Sequence, residues 1–171
     1  MELSSWGDDK IERMIANYRE KGVTEGGVVS LAELLVAQRR RIKSEIDTVA
    51  LAKAIVTNAK AAADGLTTYK DLWTQFRPGE SWVGNKSQQI MGKALSRVVG
   101  YCVDHRLPIL TVLVVQSGSR TLDPKAVANI VNDARDLGVE VGPEPEKFIE
   151  RQRELARAVA DDALPDDEAG A

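Results

Sequence analysis

The sequence has very few of the residues from which disulfides, metal sites and thiol or imidazole active sites are built. Its 171 residues include one cysteine, Cys102, and one histidine, His105. A single cysteine excludes an internal disulfide and is typical of a reducing compartment or of a small core residue. Two candidate ligands cannot complete a tetrahedral zinc site, so no metal or cofactor is predicted. His105 is expected to meet the last carbonyl groups of a helix.

Motifs of catalysis and of nucleotide binding are also lacking. The sequence has no Gly-rich phosphate loop, no His-Glu-x-x-His and no Cys-x-x-Cys. Carboxylates are plentiful, but none lies in an apolar stretch that would raise its pKa for acid–base chemistry. We therefore expect a protein that is not an enzyme.

Long hydrophobic runs are missing as well. The longest run lies around Ile109 to Val115 and is far too short to cross a bilayer. The first nine residues lack the basic region and apolar run of a signal peptide. The expectation is a protein without membrane contact that resides in the cytoplasm.

Charge is present in ordinary amounts but is unevenly distributed. The chain is 43% hydrophobic and 29% charged, with a net charge of −3. Residues 1–66 carry ten acidic and ten basic side chains, and residues 67–122 carry three acidic and seven basic ones. Residues 123–171 carry thirteen acidic and six basic side chains. An acidic protein can still bind a polyanion through a local basic segment, because screening limits the field to nearby charges.

Apolar spacing predicts a mostly α-helical chain with a small β element. A capping box from Ser30 to Glu33 begins the second helix. The helical run from 45 to 63 either continues that helix or is kinked away from it. Ile109–Val115 is rich in β-branched residues and predicts a strand, and Val139–Val141 predicts a short strand that pairs with it. Helices are expected near residues 8–21, 30–43, 45–63, 69–75, 85–104, 124–138 and 145–159.

These elements predict a winged-helix-like unit with added N-terminal and C-terminal helices. Within residues 67–122, a short helix, a loop, a longer helix, a strand and an exposed turn follow one another in the order of a winged helix. Residues 1–66 form an N-terminal helical region, and residues 123–160 form C-terminal helices that pack on the winged-helix-like segment. Residues 161–171 form an acidic tail that is expected to be disordered.

Several short motifs resemble the DNA-binding half of alkylguanine-DNA alkyltransferases and their alkyltransferase-like relatives. They are Thr68-Tyr69-Lys70-Asp71-Leu72, Met91-Gly92-Lys93-Ala94-Leu95, Leu107-Pro108-Ile109-Leu110, Val114-Val115 and Ser117-Gly118. The resemblance covers roughly residues 68–118. It implies a winged-helix scaffold that meets a DNA duplex, with Tyr69 against the DNA backbone. The layout is also similar to that of small bacterial and phage proteins, a similarity that implies no activity.

Departures from the family motif remove its chemistry. Thr111 stands where the family has its acceptor cysteine, and Val112 stands where it has a histidine. Alkyl transfer requires a thiolate activated by a neighbouring base, and neither threonine nor valine supplies one. Gln89 replaces the family's intercalating arginine, so base flipping is not implied. The resemblance therefore implies a non-catalytic DNA-binding protein.

The long helix and the turn after the strand supply the candidate DNA contacts. Residues 87–89 are expected to face base edges in the major groove, while basic side chains at 86, 93 and 97 meet phosphates. The turn Gln116–Arg120 would form the wing. The alternatives are a solvated helix face and an ordinary turn. The complete set of candidate DNA contacts is Tyr69, Lys70, Lys86, Ser87, Gln88, Gln89, Lys93, Arg97 and Arg120.

Two further groups of side chains have open interpretations. The cluster Arg39–Arg41 with Lys43 is either a second phosphate contact or, as we favour, a solvated face balanced by neighbouring acidic residues. Trp82 either stacks on a base or a partner, or is an ordinary loop residue. Trp73 is expected in the core.

Two classes of function follow from these observations. The first is a non-catalytic protein that binds duplex DNA for regulation or for recognition of a DNA structure. The alternative is a protein-interaction module, such as a phage-type inhibitor or an adaptor of a nucleic-acid-processing machine, since winged helices also bind proteins. DNA binding requires Lys86, Lys93, Arg97 and Arg120 on one uninterrupted face. An acidic C-terminal helix that covers this face would favour the protein partner. The N-terminal helices could form a homo-oligomer interface, an extra layer or a partner site.

Overall fold

Seven α-helices and one small parallel sheet form residues 3–168, the part of the chain that this computed structural model describes. A mostly α fold with a small β element is thereby confirmed. No helix among these residues is long and apolar enough to cross a membrane. The elements are α1 (Asp8–Lys21), α2 (Leu31–Arg40), α3 (Thr48–Ala61), β1 (Thr67–Thr68), α4 (Tyr69–Phe76), α5 (Gly84–Asp104), β2 (Val114–Val115), α6 (Pro124–Asp136) and α7 (Pro145–Arg157), with 3₁₀ turns at Leu3–Ser5, Leu110–Leu113 and Asp161–Ala163.

Capping residues fix where the helices begin. The predicted capping box forms, since the Glu33 N–H donates to Ser30 Oγ and the Ser30 N–H donates to the Glu33 carboxylate at 2.8 Å. Asp47 accepts the Ala50 N–H at 2.7 Å and so begins α3 as a separate helix. Asp123 caps α6 in the same way. Because Asp47 supplies a cap, α2 and α3 are two helices rather than one continuous run.

The main core surrounds α3 and α5 and continues into the segment after α5. On α5 the buried positions recur at helical spacing, from Met91 through Ala94 and Val98 to Cys102. Trp73 of α4 is 3% exposed, which confirms its predicted place in the core. Helices α6 and α7 complete this body through residues such as Ile130 and Phe148.

The segment Ile109–Val115 is not the strand that its β-branched content predicted. Leu110–Leu113 form a 3₁₀ turn, and only Val114–Val115 form a strand. Every residue of the segment is buried, and side chains of α7 satisfy part of its backbone: Gln152 accepts the Ile109 N–H at 2.8 Å. β-branching indicates a buried run here without fixing its backbone conformation.

The partner of β2 is also not the one predicted. β2 pairs in parallel with β1, with Thr67 beside Val114 and Thr68 beside Val115. Residues 139–141 are not a strand. The order of helix, loop, longer helix, strand and turn is nevertheless present from α4 to residue 120.

Helices α1 and α2 form a separate unit, which we call the N-terminal hairpin (residues 8–40). It has its own small core, which includes Ile11, Ile15 and Leu34. Tyr18 joins α1 to the loop before α2, because the phenol donates to the Val29 carbonyl at 2.5 Å and accepts the Gly27 N–H at 3.0 Å. A side chain at position 27 would collide with this phenol.

The N-terminal hairpin is attached to the main body through charged groups. Arg39 lies 2.6 Å from the Asp133 carboxylate and 3.2 Å from that of Asp136. Asp133 is 8% exposed and also accepts the Ser96 hydroxyl at 3.0 Å. Burial raises the pKa of Asp133, against the opposing effect of Arg39. The hairpin and the main body therefore meet at a polar seam beside which a cleft remains open.

Residues 161–168 of the acidic C-terminal segment pack against the main body, so the prediction of disorder is wrong for them. Leu164 is 5% exposed and belongs to the main core, and the Tyr101 phenol donates to the Pro165 carbonyl at 2.7 Å. An apolar anchor within an acidic stretch is sufficient to hold it against the body. Residues 169–171 of the predicted tail lie outside the described residues.

Candidate nucleic-acid interface

A single large concavity follows the exposed side of α5. Its volume is about 1480 Å³, and it runs between the N-terminal hairpin, α5, the start of α6 and the turn after β2. We call it the α5 cleft. The residues that line it include Lys43, Tyr69, Lys70, Trp82, Asn85, Gln88, Gln89, Lys93, Thr111, Gln116, Ser117, Lys125 and Asn129.

Four lysines line the α5 cleft without an acidic partner. Lys43, Lys70, Lys93 and Lys125 make no ion pair with any residue from 3 to 168. All four are exposed. Their ammonium groups are therefore free to meet an anion that enters the cleft.

Most carboxylates of the same cleft are already engaged. Asp8 accepts Arg41 at 2.8 Å, and Asp133 and Asp136 are held by Arg39. Asp123 caps α6 and accepts the Gln116 amide at 2.6 Å. Glu12 is the one lining carboxylate that makes no such contact within the described chain. The uncompensated charge of the cleft is consequently positive.

The start of α5 places amide side chains beside these lysines. Gln88 and Gln89 are exposed and line the cleft, as predicted for residues that reach a ligand. Lys86 is exposed on the same first turn but does not line the cleft. Val83, the N-cap residue, offers no side chain to the free N–H groups of this turn, so they remain available to an anion.

Ser87 does not face a ligand, and this prediction is wrong. The side chain is 1% exposed, and its hydroxyl accepts the Val83 N–H at 2.7 Å. Ser87 lies one helical turn before Met91, so it belongs to the buried stripe of α5. That spacing was the signal that separates it from Gln88 and Gln89.

Arg97 and Arg120 are not free cations, which corrects both predictions. Arg97 donates to the Ile42 carbonyl at 2.7 Å and to the Arg40 carbonyl at 2.9 Å, and it pairs with Glu168. Arg120 holds Asp64 at 2.5 Å. The face expected from Lys86, Lys93, Arg97 and Arg120 therefore does not form, because two of its four cations join distant parts of the chain.

The arginines of the Arg39–Arg41 cluster also have partners within the protein. They form neither the phosphate contact nor the solvated face that was considered from the sequence. Arg39 lies in the polar seam described above. Arg41 donates to the Trp6 carbonyl at 2.7 Å and to the Leu3 carbonyl at 2.8 Å. Arg40 lies 3.7 Å from Asp104. These contacts attach the N-terminal turn and the hairpin to the remainder of the molecule.

Two aromatic side chains contribute to the cleft. Burial, and secondarily the Asp123 carboxylate, raises the pKa of Tyr69 to about 12, so the phenol keeps its proton and can donate. Trp82 packs its ring edge-on against Trp73, with centroids 5.5 Å apart. Both aromatic groups are half-buried, so each leaves part of its ring at the cleft surface.

The turn after β2 borders the cleft. Two backbone hydrogen bonds close it, from the Gln116 N–H to the Thr121 carbonyl at 3.1 Å and from the Arg120 N–H to the Gln116 carbonyl at 2.9 Å. Gln116 and Ser117 are exposed and line the cleft. The predicted wing is therefore a closed turn without an antiparallel strand pair.

The side chains that could in principle react lack the partners that would activate them. Thr111 is 3% exposed, and its hydroxyl has no hydrogen-bond partner within residues 3–168. Burial raises the pKa of the Cys102 thiol to about 12, so the thiol stays neutral. His105 contacts the Asp167 carbonyl at 2.8 Å instead of the helix carbonyls predicted for it. Over the described chain, no cluster of three potential metal ligands occurs.

No family model, no curated protein and no solved structure matches this chain. Its function is therefore inferred from the residues of the α5 cleft. Sequence reasoning placed Tyr69, Lys70, Gln88, Gln89 and Lys93 in a common site, and all five line the cleft. It missed Lys125 and Asn129, whose helix lies far along the chain, and it considered Lys43 only as part of a separate cluster with Arg39–Arg41.

Proposed function

We propose that this protein binds double-stranded DNA in the α5 cleft and catalyses no reaction on it. The observation that carries the proposal is the convergence of four unpaired lysines, from four separate parts of the chain, on one concave surface. Converging cations without internal partners cost folding free energy through mutual repulsion. A polyanionic ligand explains why they lie together.

The lysines fit the sugar–phosphate backbone. Phosphate contacts by lysine and arginine supply most of the affinity of a protein for any DNA sequence. Lys70, Lys93 and Lys125 come from α4, α5 and α6, and Lys43 comes from the loop before α3. A phosphate strand that follows the cleft would meet all four.

The amide groups at the start of α5 fit base edges or sugar atoms. Asn85, Gln88 and Gln89 project from the first two turns of a long helix, the geometry by which helices enter a major groove. The residues of the alkyltransferase-like resemblance support the same assignment, because Tyr69, Gln89, Lys93 and Ser117 line one cleft. A DNA-binding role also agrees with the expected cytoplasmic location.

The absence of catalysis is proposed from two candidate nucleophiles, Thr111, which lines the cleft, and Cys102, which does not. Thr111 has no hydrogen-bonded base that would activate its hydroxyl, and Cys102 is a buried neutral thiol. Neither residue has the environment of a nucleophile.

A protein partner is the second candidate function. The observation that favours it is the internal use of Arg97 and Arg120, two of the four cations on which the predicted DNA face depended. An acidic protein surface could replace the phosphates in the cleft. Such a partner would contact the same four lysines, so the ligand class must be decided by binding.

Fluorescence anisotropy with a labelled mixed-sequence duplex tests the proposal, at about 50 and 200 mM salt and beside a single strand and an RNA. The test variant is Lys70→Gln/Lys93→Gln/Lys125→Gln. Each lost phosphate contact lowers the salt slope of log K by about 0.9, so the slope should fall by between two and three. The affinity should fall by at least about tenfold at the lower salt.

A matched control separates the cleft from the general charge. Lys21, Lys147 and Arg151 are exposed and lie outside the cleft, so Lys21→Gln/Lys147→Gln/Arg151→Gln changes the net charge equally. Its binding should stay within about twofold of the unaltered protein. Absence of duplex binding at micromolar protein, or an equal loss in both variants, would refute the proposal and favour the protein partner.

A further inference from the structure

The acidic segment 161–168 lies across a second group of cations. Asp161 lies 3.1 Å from the Lys60 ammonium group on α3. Asp166 pairs with Lys53 on the same helix, and Glu168 pairs with Arg97 on α5. The chain thus covers these cations with its own carboxylates, whereas the lysines of the α5 cleft are left open.

One of the covered cations, Arg97, adjoins the cleft. On α5, Arg97 lies one helical turn after Lys93, which lines the cleft. The Arg97 guanidinium also donates to the Ile42 carbonyl at 2.7 Å, and Ile42 and the following Lys43 both line the cleft. Glu168 therefore ends the acidic segment at the edge of the proposed DNA-binding surface.

The contacts of the acidic segment differ in how readily a ligand could displace them. Leu164 is buried and the Pro165 carbonyl accepts the Tyr101 phenol, which anchors the middle of the segment. Two of the three ion pairs have largely exposed carboxylates, since Asp166 is 91% and Asp161 is 61% exposed, whereas Glu168 is 43% exposed and its partner Arg97 only 18%. Exposed pairs are weak and are screened by salt, so phosphates can replace the carboxylates.

We propose that residues 161–168 are an intramolecular competitor of the DNA backbone. In this proposal, Lys53, Lys60 and Arg97 form a second phosphate-binding surface that continues the α5 cleft, and the acidic segment occupies it in the absence of a duplex. The segment lowers the affinity for DNA and limits binding to ligands that displace its carboxylates. This inference rests on the proposed function of the cleft.

The variant Asp161→Asn/Asp166→Asn/Glu168→Gln in the full-length chain tests the proposal. It removes the competing charges and retains the Leu164 anchor. Anisotropy with the same duplex at about 50 mM salt should show an affinity at least about fivefold higher, and the salt slope should steepen by about two. Adding Lys53→Gln/Lys60→Gln to this variant should return both values towards those of the unaltered protein.

The matched control is Glu146→Gln/Glu150→Gln/Glu154→Gln on α7. These carboxylates are exposed, and their neutralisation changes the net charge by the same amount. Equal gains in affinity for the two triple variants would overturn the inference, because they would show a general charge effect. An unchanged affinity of the segment variant, with normal salt-sensitive binding by the unaltered protein, would overturn the inference and leave the proposed function standing. Absence of binding by every variant would refute both.

Discussion

Cations have different roles at the contacts between distant segments and in the α5 cleft. At the contacts between segments, Arg39, Arg41 and Arg97 each bond to acidic groups or carbonyls. In the cleft, Lys70 and Lys93 lie exposed without such partners among the described residues. The arginines hold the N-terminal hairpin and the C-terminal segment in place, and the lysines face solvent.

This difference shows which charges are available for binding. Arginine and lysine contribute equally to the net charge of a sequence, but a guanidinium has several fixed donors and readily bridges carbonyls and carboxylates. A cation that bridges segments contributes to folding, and a ligand can reach it only by displacing the group that it holds. The comparison therefore predicts that arginine variants lose stability and that lysine variants lose binding.

The largest loss of stability is expected for Arg39→Ala. The substitution leaves Asp133 buried without its counterion, and breaking a buried ion pair in this way costs about 3 kcal/mol. Urea unfolding followed by circular dichroism measures the change. Replacing both partners, as Arg39→Leu/Asp133→Leu, should recover part of the loss, because the buried Asp133 carboxylate is removed together with its counterion. A loss below about 0.5 kcal/mol for Arg39→Ala would show that the seam does not hold the hairpin.

A smaller loss is expected for Arg97→Ala. Its guanidinium donates to two backbone carbonyls between α2 and α3, and hydrogen bonds from charged groups contribute about 1.5–3 kcal/mol. The expected decrease in the free energy of unfolding is about 2 kcal/mol. Thermal unfolding of Arg97→Ala beside Lys93→Ala, one turn earlier on α5, tests this. A larger effect at Lys93 would reverse the comparison.

The exposed pair of Arg120 and Asp64 should have its main effect in acid. Hydrogen bonds from Arg120 lower the pKa of Asp64 from 3.8 to about 2. A depressed carboxyl pKa contributes stability above pH 3.8 that is lost as the pH falls towards 2. In Arg120→Ala, the pKa of Asp64 should rise towards 3.8, as measured by carboxyl ¹³C NMR titration. A pKa that stays near 2 in the variant would exclude Arg120 as the cause.

The smallest effect on stability is expected for the cleft lysines. Lys70→Gln, Lys93→Gln and Lys125→Gln should each change the free energy of unfolding by less than about 0.5 kcal/mol, because none of the three side chains has an ionic partner to lose. Urea unfolding of the three single variants provides the test. A loss of about 2 kcal/mol for any of them would place that lysine among the structural cations.

The helices could be predicted from the sequence because their signals are local. Capping by Ser30, Glu33 and Asp123 and the spacing of Met91, Ala94 and Val98 depend on neighbours within a few residues. The backbone conformation of residues 109–115 could not be predicted, because it depends on α7 side chains some forty positions away. β-branched residues in a fully buried run do not distinguish an extended backbone from a 3₁₀ turn.

The candidate site, too, could be predicted only where its signals are local. The exposed face of α5 at Gln88, Gln89 and Lys93 follows from helical periodicity. The same periodicity, applied from Met91 backwards, excludes Ser87. The partners of Arg97 and Arg120 depend on contacts 71 and 56 residues apart in the chain. No local pattern reveals such contacts, so the sequence alone overestimated the free charge of the proposed DNA face.

Lysine acetylation with and without DNA tests the central claim most directly. The protein is labelled with an amine-reactive acetylating reagent, alone and with a saturating mixed-sequence duplex, and each site is quantified by mass spectrometry. The account predicts that the duplex protects Lys43, Lys70, Lys93 and Lys125 and leaves Lys21 and Lys147 as reactive as before. Equal reactivity of the four cleft lysines with and without bound duplex would contradict it.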